Sequence, residues 1–319
     1  MKNLGKLIIG AAAFGLVASA ASADTFVRML AGPQGGAWYP YGAKMSEMFQ
    51  KNIKGISTST GPGGGVANVR DVNRGNAEIA WTFGDTAWQG YNGKGKFKGK
   101  HENVLFFANL YPGILQMAVK KDSPIKSLRE IGKARLSPGK LTFAGNIAFE
   151  KLIKLYGFTY DGIKKAGGTI HRVGFSDAAA LLKDGHIDLM AAMTTAPNAA
   201  YLSVDFQPGF RLLPVDDDIA ATFVKQNPGF IRTKVSKSAY KSLNADVPAI
   251  AAPTVLVINK NVSSDIAYQM AKIVWERHAE LAQVNKFWTN VNLKDALEGA
   301  EIPVHPGAMR YYKEKGIAK

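Results

Sequence analysis

Cysteine is absent from the 319-residue sequence, which excludes disulfide bonds, thiolate catalysis and cysteine-ligated zinc sites. Histidine is scarce, and no spacing between histidines matches the H-E-x-x-H or H-x₃-H pattern of a zinc site. No G-x-S-x-G segment is present, which argues against the nucleophile elbow of a hydrolase. We therefore expect no enzyme activity, no cofactor and no metal, with an exported hydrolase or transferase as the alternative.

Acidic residues are also few. The 25 Asp and Glu residues are outnumbered by 40 Lys and Arg residues, which gives a formal net charge of +15. Such a charge favours anionic partners. The basic residues are scattered, and their densest run, at 94–100, is glycine-rich and typical of a solvated loop. We therefore expect no nucleic-acid partner and an anionic solute instead.

Long apolar runs are missing except near the N-terminus. Residues 7–20 carry no charge, follow Lys2 and Lys6, and precede the small residues Ala21-Ser22-Ala23. This order is that of a secretory signal peptide, and the run is shorter than the ~20 residues that span a bilayer. We expect residues 1–23 to be removed before Asp24 and the protein to be periplasmic; a retained N-terminal anchor is the alternative.

The remaining 296 residues (319 minus 23) are more than one compact core usually holds, so two domains are expected. Strand and helix patterns alternate almost to the end, which indicates α/β lobes with mainly parallel sheets. The predicted strands lie at 25–30, 53–60, 78–83, 104–110, 114–120, 140–143, 171–173, 187–193, 211–215 and 249–258. Helices are expected from Pro40, at 66–74, after a cap at Asp85, after a cap at Asn146, at 177–183, from Pro197 and from Ser263 or Ser264.

One pattern occurs twice in the chain. A predicted helix ends at Gly75, and Glu78 follows three residues later, just before a strand. A second predicted helix ends at Gly185, with Asp188 in the same relation to the next strand. The repetition weakly supports two lobes of similar construction.

Two glycine-rich turns precede predicted helices, at 35–40 and at 61–65. Free backbone N–H groups and the helix dipole at such a turn favour an anionic group, and glycine lets that group approach closely. In α/β sheets, ligands bind at the C-terminal ends of strands, where these turns lie. Aromatic residues near the turns, above all Trp38 and Tyr39, suit a small-molecule cleft. An ordinary flexible turn is the alternative for 61–65. Trp81 and Phe83 are more typical of strand core, and a place in the cleft is the alternative for them.

Five segments follow one another in an order typical of a known family. They are GGAWYPYGAKMSEMF at 35–49, GGGVANVRDVNRGNAEIAW at 63–81, GDTAWQGYNGKGKF at 84–97, FANLYPGILQMAVKKDSPIKSL at 107–128 and LLKDGHIDLMAAMTTAP at 181–197. Together they resemble the TAXI family of solute receptors for TRAP transporters. The resemblance implies a two-lobed periplasmic binding protein fold, in which each lobe is a mainly parallel sheet flanked by helices. Hinge strands at 114–120 and 249–258 would join a first lobe at 24–117 and 256–319 to a second lobe at 118–255.

The resemblance also implies a function and a site. The ligand would be a small carboxylate solute, either a glutamate-like amino acid or a dicarboxylate, delivered by a monomer to the membrane subunits of a TRAP transporter. A binding protein of an ATP-driven transporter is the alternative. Gly65 stands where the family has serine, so backbone groups would carry more of the recognition. The expected ligand-binding residues are Gly36, Trp38, Tyr39, Gly64, Gly65, Val66, Ala67, Asn68, Asp85, Tyr111, Asn146, Thr194 and Pro197.

Overall fold

The computed structural model describes residues 25–318, so the predicted signal peptide and its cleavage site lie outside the described residues. Within this range, the strands join in a single hydrogen-bonded sheet. The strands are β1 Thr25–Leu30, β2 Ile56–Gly61, β3 Ile79–Phe83, β4 Val104–Lys120, β5 Arg135–Ser137, β6 Thr169–Ile170, β7 Leu189–Thr194, β8 Phe210–Leu212, β9 Ile231–Val235 and β10 Val247–Asn259.

Helices connect these strands. They are α1 Trp38–Asn52, α2 Gly65–Arg74, α3 Gly84–Tyr91, α4 Ala144–Leu155, α5 Tyr160–Lys165, α6 Phe175–Lys183, α7 Ala199–Phe206, α8 Asp217–Gln226, α9 Ser264–Glu276, α10 His278–Ala282 and α11 Pro306–Glu314. Side-chain caps begin some of them: Ser263 accepts from the N–H of Ile266 at the start of α9, as predicted, and Asn198 caps α7. No helix in the described range is both long and apolar enough to cross a membrane.

The order of strands in the sheet is β2-β1-β3-β10-β4-β7-β5-β6, with β8 beside β4 and β9 beside β10. Strands β1, β2 and β3 pair in parallel, and so do β5, β6 and β7. The antiparallel strands β4 and β10 lie between these two groups. We call the part around β1–β3 the first lobe and the part around β5–β7 the second lobe. The predicted α/β fold with two mainly parallel lobes joined by long strands is confirmed.

The two joining strands run unbroken through both lobes. The sequence predicted separate strands at 104–110 and 114–120, but β4 is one strand of 17 residues. Its Pro112 lies opposite Pro253 of β10. Beyond this point β10 pairs with β9, and β4 pairs with β7 and β8. Each strand therefore contributes its two ends to different lobes.

The repeated pattern of glycine, acid and strand forms the same structure twice. In the first lobe, Glu78 accepts hydrogen bonds from the backbone N–H of Arg28 at 2.7 Å and from its guanidinium at 2.6 Å. In the second lobe, Asp188 accepts from the backbone N–H of Arg135 at 2.7 Å and from its guanidinium at 2.6 Å. Each arginine lies in the first strand of its lobe, and each acid precedes the strand beside it. The predicted repeat is confirmed.

Several local predictions were wrong. Residues 140–143 do not form a strand; the second lobe uses Arg135–Ser137 instead, and 140–143 form the turn before α4. Asn146 is not a helix cap but the third residue of α4, with its side chain buried. Asp85 lies in the first turn of α3, and the N-cap position belongs to Phe83. Both helices, α4 and α3, therefore begin earlier in the chain than the predicted capping residues Asn146 and Asp85.

Candidate functional site

A chamber lies between the two lobes, at the C-terminal ends of their parallel strands. This is where ligands bind in open α/β sheets. We call it the inner chamber. Its lining is Pro33, Gly36, Ala37, Trp38, Gly64, Gly65 and Phe83 from the first lobe, and Phe143, Ala144, Gly145, Phe175, Met193 and Thr194 from the second. The cavity volume, counted as the space open to the centre of a water-sized molecule, is about 20 Å³. That space holds about one water molecule, so the lobes must move apart before a solute can enter.

Two helix N-termini, one from each lobe, meet at the inner chamber. The N–H groups of Gly65 in α2 and of Ala144 and Gly145 in α4 donate to no acceptor within residues 25–318. First-turn N–H groups have no partner inside their own helix, and the helix dipole adds partial positive charge. Such N–H groups can donate hydrogen bonds to one anionic group from both lobes.

Aromatic rings form the apolar walls of the chamber. From the first lobe, Trp38 and Phe83 pack with their ring centroids 4.8 Å apart. From the second lobe, Phe143 and Phe175 pack edge to face at 5.5 Å. All four side chains are at least nine-tenths buried. The chamber therefore offers backbone donors at two helix ends and an apolar surface between them.

The two lobes touch around the chamber. The N–H of Val66 donates to the carbonyl oxygen of Thr142 at 3.3 Å, and the N–H of Ala200 donates to the carbonyl oxygen of Gly35 at 3.4 Å. A Cβ atom added to Gly64 would lie 2.5 Å from a ring carbon of Phe143. Only glycine permits this approach.

Outside the inner chamber, two further spaces lie between the lobes. The outer space, lined by Ala67, Lys140 and Asp177 among others, shares Pro33, Gly64 and Phe143 with the chamber. The lateral groove lies along α3 and α4 and shares no residue with the chamber. It is lined by Asp85, Trp88, Gln89, Lys94, Gly95, Lys96, Ile147, Glu150, Lys151, Lys154, Gln226, Asn227, Pro228, Phe230 and Glu301.

Among the acidic residues that line the lateral groove, Asp85 has a pKa that its surroundings shift. Burial raises the pKa of its carboxyl group, against the opposing effect of Lys151 and of a hydrogen bond from Thr86. Gln89 also donates to this carboxylate at 3.1 Å. Asp85 was predicted to bind the ligand, and the structure places it in the lateral groove, apart from the inner chamber.

Of the predicted site residues, five line the inner chamber: Gly36, Trp38, Gly64, Gly65 and Thr194. Ala67 lines the outer space, and the backbone N–H of Val66 bonds to the other lobe. Tyr39 and Pro197 are partly buried beside these groups and do not line the chamber.

Three predicted side chains contact other parts of the protein and do not line the chamber: Asn68 and Asn146 through hydrogen bonds, and Tyr111 through ring packing. Asn68 is fully buried; its amide donates to the carbonyl oxygens of Ala31 and Trp81, and its oxygen accepts from the N–H of Gly64. Asn146 accepts from the hydroxyl of Tyr160 at 2.9 Å and from the guanidinium of Arg172.

Tyr111 is the third. Its ring lies in an aromatic cluster with Tyr41, Trp81 and Trp288, and its buried hydroxyl group has no partner among the described residues. The cluster lies behind the chamber wall, since Trp38 stacks on Trp81 at 6.2 Å. Tyr111 is therefore one layer away from the chamber lining.

Sequence reasoning missed Phe175 and Met193 and assigned Phe83 to the strand core. Phe175 is the first residue of α6 and follows Gly174, in the same strand-turn-helix setting as Trp38 in α1. That setting was a usable signal for Phe175. Met193 lies in β7 next to Thr194, and its apolar pattern is that of any buried strand.

Comparisons with known proteins agree with this architecture. A sequence model described as the NMT1-like family matches residues 29–316. The binding component of an ABC phosphonate transporter from Pseudomonas aeruginosa superposes with a TM-score of 0.50 at 13% identity, covering 82% of this chain and 78% of that one. The periplasmic aliphatic sulphonate binding protein of Escherichia coli gives 0.46 at 12%, covering 81% and 74%. The fold is that of periplasmic binding proteins.

Proposed function

The chain belongs to the NMT1-like family, and we propose that it is an exported solute-binding protein that captures a small carboxylate-bearing solute between its lobes for a membrane transporter. The observation that carries the proposal is the meeting of two helix N-termini, one from each lobe, at a chamber with apolar walls. A carboxylate bound there receives donors from both lobes at once. Binding would thereby hold the lobes together.

Capture follows from the arrangement of the strands. With β4 and β10 as the hinge, the first lobe would comprise residues 24–117 and 256–319, and the second would comprise 118–255. Solute enters the open cleft, and rotation about the hinge brings the termini of α2 and α4 onto it. Closure removes water, which strengthens the hydrogen bonds to a charged group. Release requires the lobes to separate, and the membrane partner supplies that step.

The transporter would be of the TRAP type, because the segments at 35–49, 63–81 and 181–197 resemble TAXI receptors. The alternative is an ATP-driven transporter, since the binding component of an ABC phosphonate transporter shares the fold. Genes beside this one distinguish the two: a small and a large membrane subunit, or their fusion, support the first, and an ATPase supports the second.

Export is part of the proposal. The order of Lys2, an apolar run and Ala21-Ser22-Ala23 predicts cleavage before Asp24 and a periplasmic protein. Mass spectrometry of the exported protein gives the mature N-terminus directly. An intact Met1 on that protein contradicts a cleaved signal peptide.

A thermal-shift screen of organic acids and amino acids tests the capture of a solute. A solute present at 100 times its Kd adds ~2.7 kcal/mol to the free energy of unfolding. Small-angle scattering with the best solute then measures the radius of gyration, which should not exceed that of the free protein. If no organic acid or amino acid raises the melting temperature, the proposal is wrong.

A further inference from the structure

Among residues 25–318, no ionisable side chain lines the inner chamber. Its residues are glycine, alanine, proline, methionine, aromatic residues and the single hydroxyl residue Thr194. Acids of the cleft line other spaces: Asp177 lines the outer space, and Asp85 lines the lateral groove. A positively charged group inside the chamber would therefore lack a carboxylate partner.

Several polar groups at the chamber are donors without an acceptor in the described part of the chain. The N–H groups of Gly65, Ala144 and Gly145 have no acceptor within residues 25–318. The hydroxyl oxygen of Thr194 accepts from the amide of Asn198 at 3.1 Å, which leaves its O–H free to donate. A set of donors beside helix N-termini stabilises an anionic oxygen and opposes a cation.

An ammonium group would enter this chamber at a high cost. Ammonium ions lose strong hydration on burial, and this loss opposes binding unless a close counter-charge offsets it. The walls are the rings of Trp38, Phe83, Phe143 and Phe175, which offer apolar surface. A cation can bind the face of such a ring. Here the rings already pack in pairs, Trp38 with Phe83 in the first lobe and Phe143 with Phe175 in the second.

We propose that the solute of the inner chamber is an organic carboxylate with an apolar body and no ammonium group, such as a short branched-chain or aryl carboxylate. The inference rests on the proposed function, and it narrows the solute class by excluding amino acids. The carboxylate lies at the ends of α2 and α4, and the apolar body lies between the aromatic pairs of the two lobes. Because the cavity volume is about 20 Å³ with the lobes in contact, the lobes must separate to make room for that body.

Calorimetric titration with matched pairs tests this inference. 4-Methylpentanoate and leucine differ only by the α-amino group, and phenylacetate and phenylglycine form a second such pair. We expect the member without the amino group to bind at least about 100-fold more tightly in any pair that binds, which corresponds to about 2.7 kcal/mol. Equal or tighter binding of the amino acid overturns the inference while leaving solute capture intact.

One variant tests whether the acid of the outer space contributes to solute binding. Asp177→Asn removes the acid of the outer space, and the preference within each pair should stay the same. A fall in leucine affinity in this variant means that Asp177 receives an ammonium group, which contradicts the inference. If neither pair and no other organic or amino acid binds to the wild-type protein, the proposed function fails and this inference fails with it.

Discussion

The backbone N–H of Val66 donates a hydrogen bond to the carbonyl oxygen of Thr142 at 3.3 Å, and this bond joins the two lobes. Val66 lies in the first turn of α2, and Thr142 precedes α4. A carbonyl oxygen of the protein thus accepts from a helix terminus that is suited to an anionic oxygen. A solute that reaches this donor competes with Thr142, so part of its binding energy replaces an existing contact.

Gly64→Val should block closure of the lobes. The contacts of an added Cβ are Phe143 and the carbonyl oxygen of Thr142, both in the opposite lobe, at 2.5 and 3.0 Å. The backbone of Gly64 is extended, at φ −163°, so valine fits the first lobe on its own. We expect at least about a 100-fold loss of solute affinity, measured by calorimetry, with little change in the melting temperature of the free protein.

A matched control is Gly99→Val, because an added Cβ at Gly99 meets nothing within 4 Å. This variant should bind solute as the wild-type protein does. Wild-type affinity in Gly64→Val as well would place the solute away from the contact between α2 and α4.

Asn68→Ala should lower stability even without a solute. The buried amide of Asn68 donates to Trp81 at 2.7 Å and to Ala31 at 2.8 Å, and its loss leaves these carbonyl oxygens without that donor. We expect a decrease of about 2–3 kcal/mol in the free energy of unfolding, measured with urea. Asn92→Ala, which removes an exposed amide bonded to Trp88, is the control and should change stability little. An unchanged free energy in Asn68→Ala would contradict the structural role.

Tyr111→Phe should leave stability equal or raise it by up to about 1 kcal/mol, because the change removes a buried hydroxyl group without a partner. The aromatic ring and its packing against Trp81 and Trp288 remain. Urea unfolding measures the stability, and calorimetry measures the solute affinity. A large loss of affinity would show that the hydroxyl group contacts the solute after all, as the sequence predicted.

His305 should make the protein less stable in weak acid. It begins α11: Nδ1 accepts from the N–H of Gly307, and Nε2 lies 3.1 Å from the carbonyl oxygen of Val262, an arrangement that needs a neutral ring. Burial lowers the pKa of His305, although the hydrogen bond with Val262 opposes this. Because the folded-state pKa lies below the unfolded value of about 6.5, the contribution of His305 is complete above that pH. It is lost as the pH falls toward the folded-state pKa.

The measurement is urea unfolding at about pH 7.5 and about pH 5.5. His305→Asn keeps an oxygen that can cap α11 and removes the titrating ring, so the decrease in stability between these pH values should become smaller. His101→Asn should keep the wild-type dependence. The same decrease in His305→Asn as in the wild-type protein would assign the acid sensitivity to another group.

The sequence was informative where local patterns determine structure. Strand β1 was predicted to the residue, and the repeated acids Glu78 and Asp188 indicated units that the structure builds alike. The break predicted between 110 and 114 was wrong, because local reasoning treats Pro112 as a strand end. No local pattern indicates that Pro112 of β4 is paired with Pro253 of β10, so that two residues without an N–H group face each other.

The chamber was harder to predict than the fold. The glycines at 63–65 are visible in the sequence, whereas Phe175 and Met193 come from separate elements that meet only in the folded chain. Asn68 was expected at the ligand because the segment at 63–81 resembles the TAXI family. Its bonds to Ala31 and Trp81 connect two strands, and such long-range bonds have no local signal.

The most direct test of the central claim is a crystal structure of the protein with the organic carboxylate that binds most tightly in the screen. We expect the carboxylate in the inner chamber, with its oxygens within hydrogen-bond distance, about 2.7–3.2 Å, of the N–H groups of Gly65 and Ala144. The apolar body should lie between Trp38 and Phe175. A solute found instead in the lateral groove beside Asp85 and Lys151, with the inner chamber unchanged, would contradict the account.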